Sequence, residues 1–346
     1  MNNKFFPSNF LFITIMMMGT LFTLSSSHWL TMWMGLELNL MGFLPLMNIK
    51  GKTLEAESSM KYFIIQSLSS SLLIMASIVM YYFTLSWYSM FSNTLISILI
   101  IFSLTLKLGG APLHFWLPSI TKKMAWLTLF LLLTWQKLAP LLMMALMNSN
   151  IIIITTISIM STIVGSLMAL NQTNLQLIIT YSSISHLGWM MSSITFNSTI
   201  TLIYFFNYVI ISVPLINMLS KTSGDHLFML TQKSNMNNLI IVSLILSLAG
   251  LPPLLGFMSK FIILLSLVQN NMFILTIIMF LGTLISLYFY LNMSLMMMIK
   301  SYMMLNSKKT IMNYSLILST NMLSSLMLFP FMMMFIKYAM NILYKP

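Results

Sequence analysis

Apolar residues run through this chain in stretches of about 20, the length a helix needs to cross a bilayer, with polar residues confined to short segments between them. Eleven such stretches are read, at roughly 5–24, 28–47, 58–85, 94–118, 125–147, 150–170, 174–194, 198–219, 238–268, 271–299 and 312–338. No polar segment is long enough for a soluble domain or linker. The pattern therefore predicts one all-α, polytopic membrane domain over residues 1–346 with about eleven transmembrane helices. Function must then reside inside the membrane.

Composition agrees and excludes whole classes of chemistry. Hydrophobic residues make up 59% of the 346 positions and charged residues 6%, so water cannot be the main solvent. With no cysteine, disulfides, thiolate metal sites, iron–sulfur clusters and catalytic thiols are ruled out. The net charge of +12 comes from sixteen Lys and no Arg, never more than two in a row; a nucleic-acid binder would concentrate its charge and use Arg. The 39 Met read as codon pressure in an AT-rich genome, Met serving as a flexible hydrophobe. No basic, cleavable leader precedes the first apolar run.

The lysines report topology instead. If the N-terminus lies on side A, then Lys4, Lys50, Lys52, Lys61, Lys122, Lys123, Lys221, Lys233, Lys300, Lys308 and Lys309 all fall on that side, and only Lys337 and Lys345 on the other. Positive loops stay uncrossed, so side A is the cytoplasmic or matrix side. Asn197-Ser198-Thr199 is a glycosylation sequon in a loop on the opposite side.

Lys107, Lys137 and Lys260 remain, all inside spans, together with Glu37. The other acids, Glu55, Glu57 and Asp225, are read into loops. An ionised side chain at mid-membrane costs about 2.5–3.5 kcal/mol even on lenient insertion scales. One carboxylate cannot neutralise three ammonium groups, so the set is more than a structural ion pair. Desolvation favours a neutral amine and a nearby carboxylate favours a charged one; a row of such groups is what proton passage by alternating protonation requires. His114 and His186 add two imidazoles to the row, and Ser182, Ser183 and Ser185 beside His186 either hold water or bond their own backbone. His28 and His226 read as boundary or loop residues.

Two spans carry helix breakers next to a buried lysine: Lys107-Leu108-Gly109-Gly110-Ala111-Pro112, and Gly250-Leu251-Pro252-Pro253 ahead of Lys260. Gly and Pro should open each helix, and irregular backbone at that depth survives only against protein or a wet cavity. The broken spans are the fourth and ninth. An offset of five is odd, so the two helices run in opposite directions and predict inverted five-helix repeats, 1–147 and 150–299, followed by a C-terminal helix at 312–338. The same offset sets Glu37 opposite His186 and leaves Lys137 at the centre of the row.

These residues carry a family resemblance. Trp33-Met34-Gly35-Leu36-Glu37-Leu38-Asn39, the stretch from Lys107 to Pro118 with Pro112-Leu113-His114 inside it, Trp135-Gln136-Lys137-Leu138-Ala139-Pro140, the stretch from Tyr181 to Trp189, and Gly250-Leu251-Pro252-Pro253 to Lys260 occur in order over about 28–268. They resemble the chain 2 family of mitochondrially encoded NADH:ubiquinone oxidoreductase (respiratory complex I) subunits. The resemblance implies an antiporter-like, proton-translocating membrane-arm subunit, with Glu37 and Lys107 as a coupling ion pair, Lys137 as central proton carrier, Lys260 toward the exit side, and His114 and His186 at matching positions. It implies no cofactor in this chain, with FMN, iron–sulfur clusters and ubiquinone on other subunits. Its partners would be other membrane-arm subunits, including neighbouring antiporter-like chains, and membrane lipids, with no nucleic acid. It also implies the mitochondrial inner membrane, with the N-terminus in the matrix and the C-terminus in the intermembrane space. Two rival readings are a stand-alone cation/proton antiporter, disfavoured because a bound Na⁺ wants several oxygen ligands, and a purely structural subunit whose buried charges hold helices in register.

Overall fold

The computed structural model describes residues 7–49, 51–85, 94–146, 150–220, 235–252 and 254–303. Among them are thirteen α-helices: α1 (Pro7–Ser25), α2 (Trp29–Met47), α3 (Thr53–Thr84), α4 (Thr94–Leu108), α5 (Trp116–Thr121), α6 (Trp126–Leu133), α7 (Trp135–Leu146), α8 (Ile151–Leu170), α9 (Leu175–Ile194), α10 (Ser198–Leu219), α11 (Asn235–Ala249), α12 (Leu255–Gln269) and α13 (Phe273–Met303). They occupy ten of the eleven expected ranges. The eleventh, 312–338, lies outside the described residues, as do Pro253, Asp225, His226 and Lys4, Lys50, Lys221, Lys233, Lys308, Lys309, Lys337 and Lys345. Among the described residues seven helical segments are long and apolar enough to cross a membrane, α6 and α7 together making one of them.

Burial runs as expected for a protein dissolved in lipid. Large apolar side chains such as Phe10, Leu21, Tyr82, Ile152 and Ile274 face outward, while many hydroxyls and all three intramembrane lysines are buried. Lipid supplies little hydrophobic force between helices, so close backbone contact must do the packing. Glycine makes it possible in two places. A Cβ at Gly19 would lie 2.6 Å from the Asn39 amide nitrogen, and one at Gly42 2.7 Å from that of Met16, so α1 and α2 touch backbone to backbone. A Cβ at Gly165 would lie 2.6 Å from the Ser185 nitrogen, which locks α8 to α9 in the same way.

Helix α9 is enclosed on every face, with nearly all its side chains buried. Its serines bond their own backbone: Ser182, Ser183 and Ser185 donate to the carbonyls of Ile179, Thr180 and Ser182, each at 2.7 Å. This is the back-bonding available to hydroxyls in any helix.

One detail differs from the sequence reading. Helix α3 starts at Thr53, so Glu55 and Glu57 sit on its first turns rather than in a loop, where an acid complements the positive end of the helix. Glu57 accepts from Lys61 at 2.7 Å and from Lys123, tying the start of α3 to the turn between α5 and α6. The sequon residue Asn197 is the N-cap of α10, its side chain accepting from the Thr199 amide at 3.0 Å.

Candidate functional site

Both expected breaks are present, and glycine rather than proline ends each helix. Gly109 has φ +72° and Gly250 φ +85°, the left-handed conformation that costs glycine nothing. At the first, the Gly109 amide donates to Leu106 O (3.3 Å) and the Gly110 amide to Thr105 O (3.1 Å); at the second, Gly250 donates to Ser247 O (3.1 Å) and Leu251 to Leu246 O (3.3 Å). Each is a Schellman cap with the 5→2 and 6→1 bonds in place. Pro112 and Pro252 follow the cap, where proline keeps the helix from resuming at once.

The carbonyls left open at each cap are met by side chains. At the end of α4, the Trp116 indole donates to Leu106 O (3.1 Å) and the Gln66 amide to Lys107 O (3.4 Å). At the end of α11, the Lys260 ammonium reaches back from α12 to Ala249 O (2.8 Å) and Leu248 O (3.3 Å). A cation at a helix C-terminus is favoured by the dipole, and Gly250 leaves the room: a Cβ there would lie 3.0 Å from Lys260 Cδ. Lys107 sits in the last turn of α4, so each break has a buried lysine at its negative end.

A third interruption was not expected. The fifth span divides at Thr134 into α6 and α7, with the Thr134 hydroxyl folded back on Phe130 O at 2.8 Å. Pro140 lies inside α7 and has no N–H for the carbonyl of Gln136, so the first turn of α7 is weakly tied at both ends. That turn carries Lys137. Its ammonium donates to Ser183 O on α9 at 3.2 Å and stands 5.8 Å from the Tyr208 ring centroid, a cation–π distance.

The row is assembled in space. Glu37 is half-buried on α2 and acts on Lys107 through its charge, but no contact ion pair joins them: among the described residues Glu37 has no ion-pair or hydrogen-bond partner. Between Lys107 and Lys137 lies a cavity of about 10 Å³, walled also by Tyr62, Trp116, Leu132 and Gln136, the size at which one water begins to fit. Beyond Lys137, the His186 ring is 5.2 Å from that of Tyr208, and its Nδ1 is 2.8 Å from the Tyr204 hydroxyl. The Tyr208 ring thus stands against both Lys137 and His186. His114 stands apart in the first break, its Nδ1 3.2 Å from Pro112 O and its ring against Phe115, while its enclosed Nε2 has no partner.

Several polar groups at the site were not singled out from the sequence. Tyr62 and Gln66 lie one turn apart on α3, and Tyr204 and Tyr208 one turn apart on α10. Such i, i+4 spacing is also that of ordinary packing residues, so only proximity to the lysines distinguishes them. Among the described residues no three His, Cys, Asp or Glu side chains are grouped to hold a metal ion. What the arrangement offers is a series of enclosed titratable groups, with Lys107, Lys137, His186 and Lys260 all buried.

Known proteins share both sequence and fold. The chain is 38% identical to NADH-ubiquinone oxidoreductase chain 2 of Locusta migratoria over 291 residues, 82% of this chain and 83% of that protein. It is 40% identical to the same chain of Anopheles gambiae over 304 residues, covering 85% and 87%. A chain of respiratory complex I from Thermus thermophilus superposes with a TM-score of 0.77 at 23% identity, over 84% of this chain and 70% of that one, a likeness of fold. The family profile described as NADH:quinone oxidoreductase/Mrp antiporter, TM, matches residues 26–286, and the chain belongs to that family.

Proposed function

We propose that this chain is an antiporter-like, proton-translocating subunit of respiratory complex I, moving protons along Glu37, Lys107, Lys137, His186 and Lys260. The observation that carries the reading is the spacing of the row: Lys107 and Lys137 share one cavity, and Lys137 and His186 both stand against the Tyr208 ring, at 5.8 and 5.2 Å. Electron transfer takes place on other subunits, which hold FMN, the iron–sulfur clusters and ubiquinone. A shift at Glu37 changes the field at Lys107; a proton crosses the small cavity to or from Lys137, and the Tyr208–His186 region passes it toward Lys260. Two of the three N–H groups of the Lys260 ammonium are engaged by the carbonyls it caps, which leaves the third to pass a proton onward. His114, off this line, serves as a side branch at the first break.

The reading includes the architecture. Residues 1–147 and 150–299 form inverted five-span repeats. Glycine locks α1 to α2 and α8 to α9, the same positions in each half, and the same glycine cap ends α4 and α11. The halves differ where it matters: the fifth span is divided beside Lys137, while its counterpart α13 is continuous. The chain lies in the mitochondrial inner membrane with its N-terminus in the matrix; Glu57 supports this by bringing together Lys61 near the start of α3 and Lys123 in the turn between α5 and α6, both assigned to that side. Neighbouring antiporter-like subunits and lipid cover its outer faces.

The test is Lys137→Met in the assembled complex, comparing protons ejected per NADH oxidised with the wild type. The expected result is a lower ratio with electron transfer retained; an unchanged ratio refutes the role of Lys137. Comigration of the chain with NADH-oxidising activity on a native gel tests the assignment to the complex.

A further inference from the structure

Proton translocation as proposed requires that an event at Glu37 be felt at Lys137, yet the two lie on different helices and Glu37 touches no charged partner. One hydrogen-bonded chain spans the gap. Gln136, the residue before Lys137, donates from Nε2 to Asn39 Oδ1 at 3.0 Å, and Asn39 is two residues beyond Glu37 on α2. The Oε1 of Gln136 accepts from the Tyr62 hydroxyl of α3 at 3.3 Å. Both ends of the amide are therefore engaged, and turning Gln136 alone would set two oxygens face to face.

The backbone around Gln136 makes this side chain decisive. At the start of α7 the Lys137 amide turns back to Thr134 O at 3.2 Å, a tighter bond than the regular helix makes, and Pro140 removes the partner of the Gln136 carbonyl. The turn bearing Lys137 is thus held less by its own helix than an ordinary turn would be. Tyr62 and Gln136 also form part of the wall between Lys107 and Lys137, so moving the amide alters both the position of Lys137 and the width of the cavity.

We infer that Gln136 is a positioning residue for proton transfer: its bridge to Asn39 and Tyr62 makes the Lys137 turn follow α2, so that displacement at Glu37 becomes displacement of Lys137. The inference rests on the translocation reading above. It predicts one shared bond rather than two separate contributions, which a double-mutant cycle resolves.

The experiment compares Gln136→Met, Asn39→Leu, the double variant of these two, the exchanged pair Asn39→Gln with Gln136→Asn, and Lys137→Met, each in the assembled complex. Protons ejected per NADH oxidised, the NADH:ubiquinone electron-transfer rate and assembly on a native gel are read together. Each apolar variant keeps side-chain volume but loses the bond, and should lower the proton ratio toward that of Lys137→Met with electron transfer retained. The double variant should fall no further than either single one, and the exchanged pair, which restores an amide on each side, should recover most of the ratio. Where an apolar variant fails to assemble, Gln136→Asn, one methylene too short to reach, carries the same expectation. Normal proton ratios in the apolar variants alongside a deficient Lys137→Met overturn the inference and leave the translocation reading standing, as do additive losses or an exchanged pair that recovers nothing. A normal ratio in Lys137→Met overturns the reading itself and the inference with it.

Discussion

Gly250 is the point where backbone conformation and a buried charge meet, and replacing it with alanine separates the two. Two costs arise. A Cβ in the left-handed region at φ +85° costs about 1–2 kcal/mol. The same Cβ would lie 3.0 Å from Lys260 Cδ and 3.2 Å from its Nζ, so the ammonium must move from carbonyls it reaches at 2.8 and 3.3 Å; losing a hydrogen bond to a charged group costs a further ~1.5–3 kcal/mol. Gly51 supplies the comparison, because it has φ +61° and nothing within 4 Å of a new Cβ. Gly51→Ala therefore carries the first cost only. The expected gap between the two variants is ~1.5–3 kcal/mol, tenfold or more in the fraction displaced from the assembly. The assay is stepwise heating of membranes followed by native gels, with the proton ratio measured on what survives. Equal heat resistance in the two variants, with a normal proton ratio in Gly250→Ala, would refute the claim that Gly250 is small in order to seat Lys260.

Three further outcomes are expected. Gly256→Ala should abolish stable assembly, since a Cβ there would lie 1.7 Å from the Ser247 carbonyl oxygen and only movement of α12 away from α11 relieves it; recovery of intact complex on a native gel decides. Tyr204→Phe should leave His186 Nδ1 without its partner at 2.8 Å, a loss of about 1–3 kcal/mol for a buried group, and lower the proton ratio without removing the chain from the complex. Glu57→Gln should change neither assembly nor pumping, because its two lysine contacts lie on an exposed surface where ion pairs contribute little; heat resistance at low and high salt checks it.

How much was legible depended on what each feature needs from the chain. Spans are set by apolar length, and the breaks at Gly109 and Gly250 announce themselves because glycine and proline are rare inside helices for steric reasons. The division at Thr134 gave no such sign: neither Thr134 nor Trp135 is a helix breaker, and Pro140 lies within α7, beyond the break. Lys107, Lys137 and Lys260 stood out because charge in lipid is costly, but Tyr62, Gln66, Tyr204 and Tyr208 did not, since a buried phenol or amide spaced four residues apart resembles packing. Asn39 and Gln136 lay inside quoted motifs without a role, because a bond between helices depends on three-dimensional register. Glu37 and Lys107, expected as a coupling ion pair, lie on correctly read helices, and whether their side chains meet depends on how those helices pack.

The enclosure of α9 also bears on how the protein is made. Its twenty residues are too polar to be among the helices apolar enough to enter a bilayer alone, and their hydroxyls gain nothing from lipid. Helix α8, immediately before it, is apolar at mean hydropathy 2.1 and is locked to α9 through Gly165 and Gly188. Insertion of α9 is therefore a paired event. A side chain at either glycine would push apart the pair on which α9 depends for its place in the membrane.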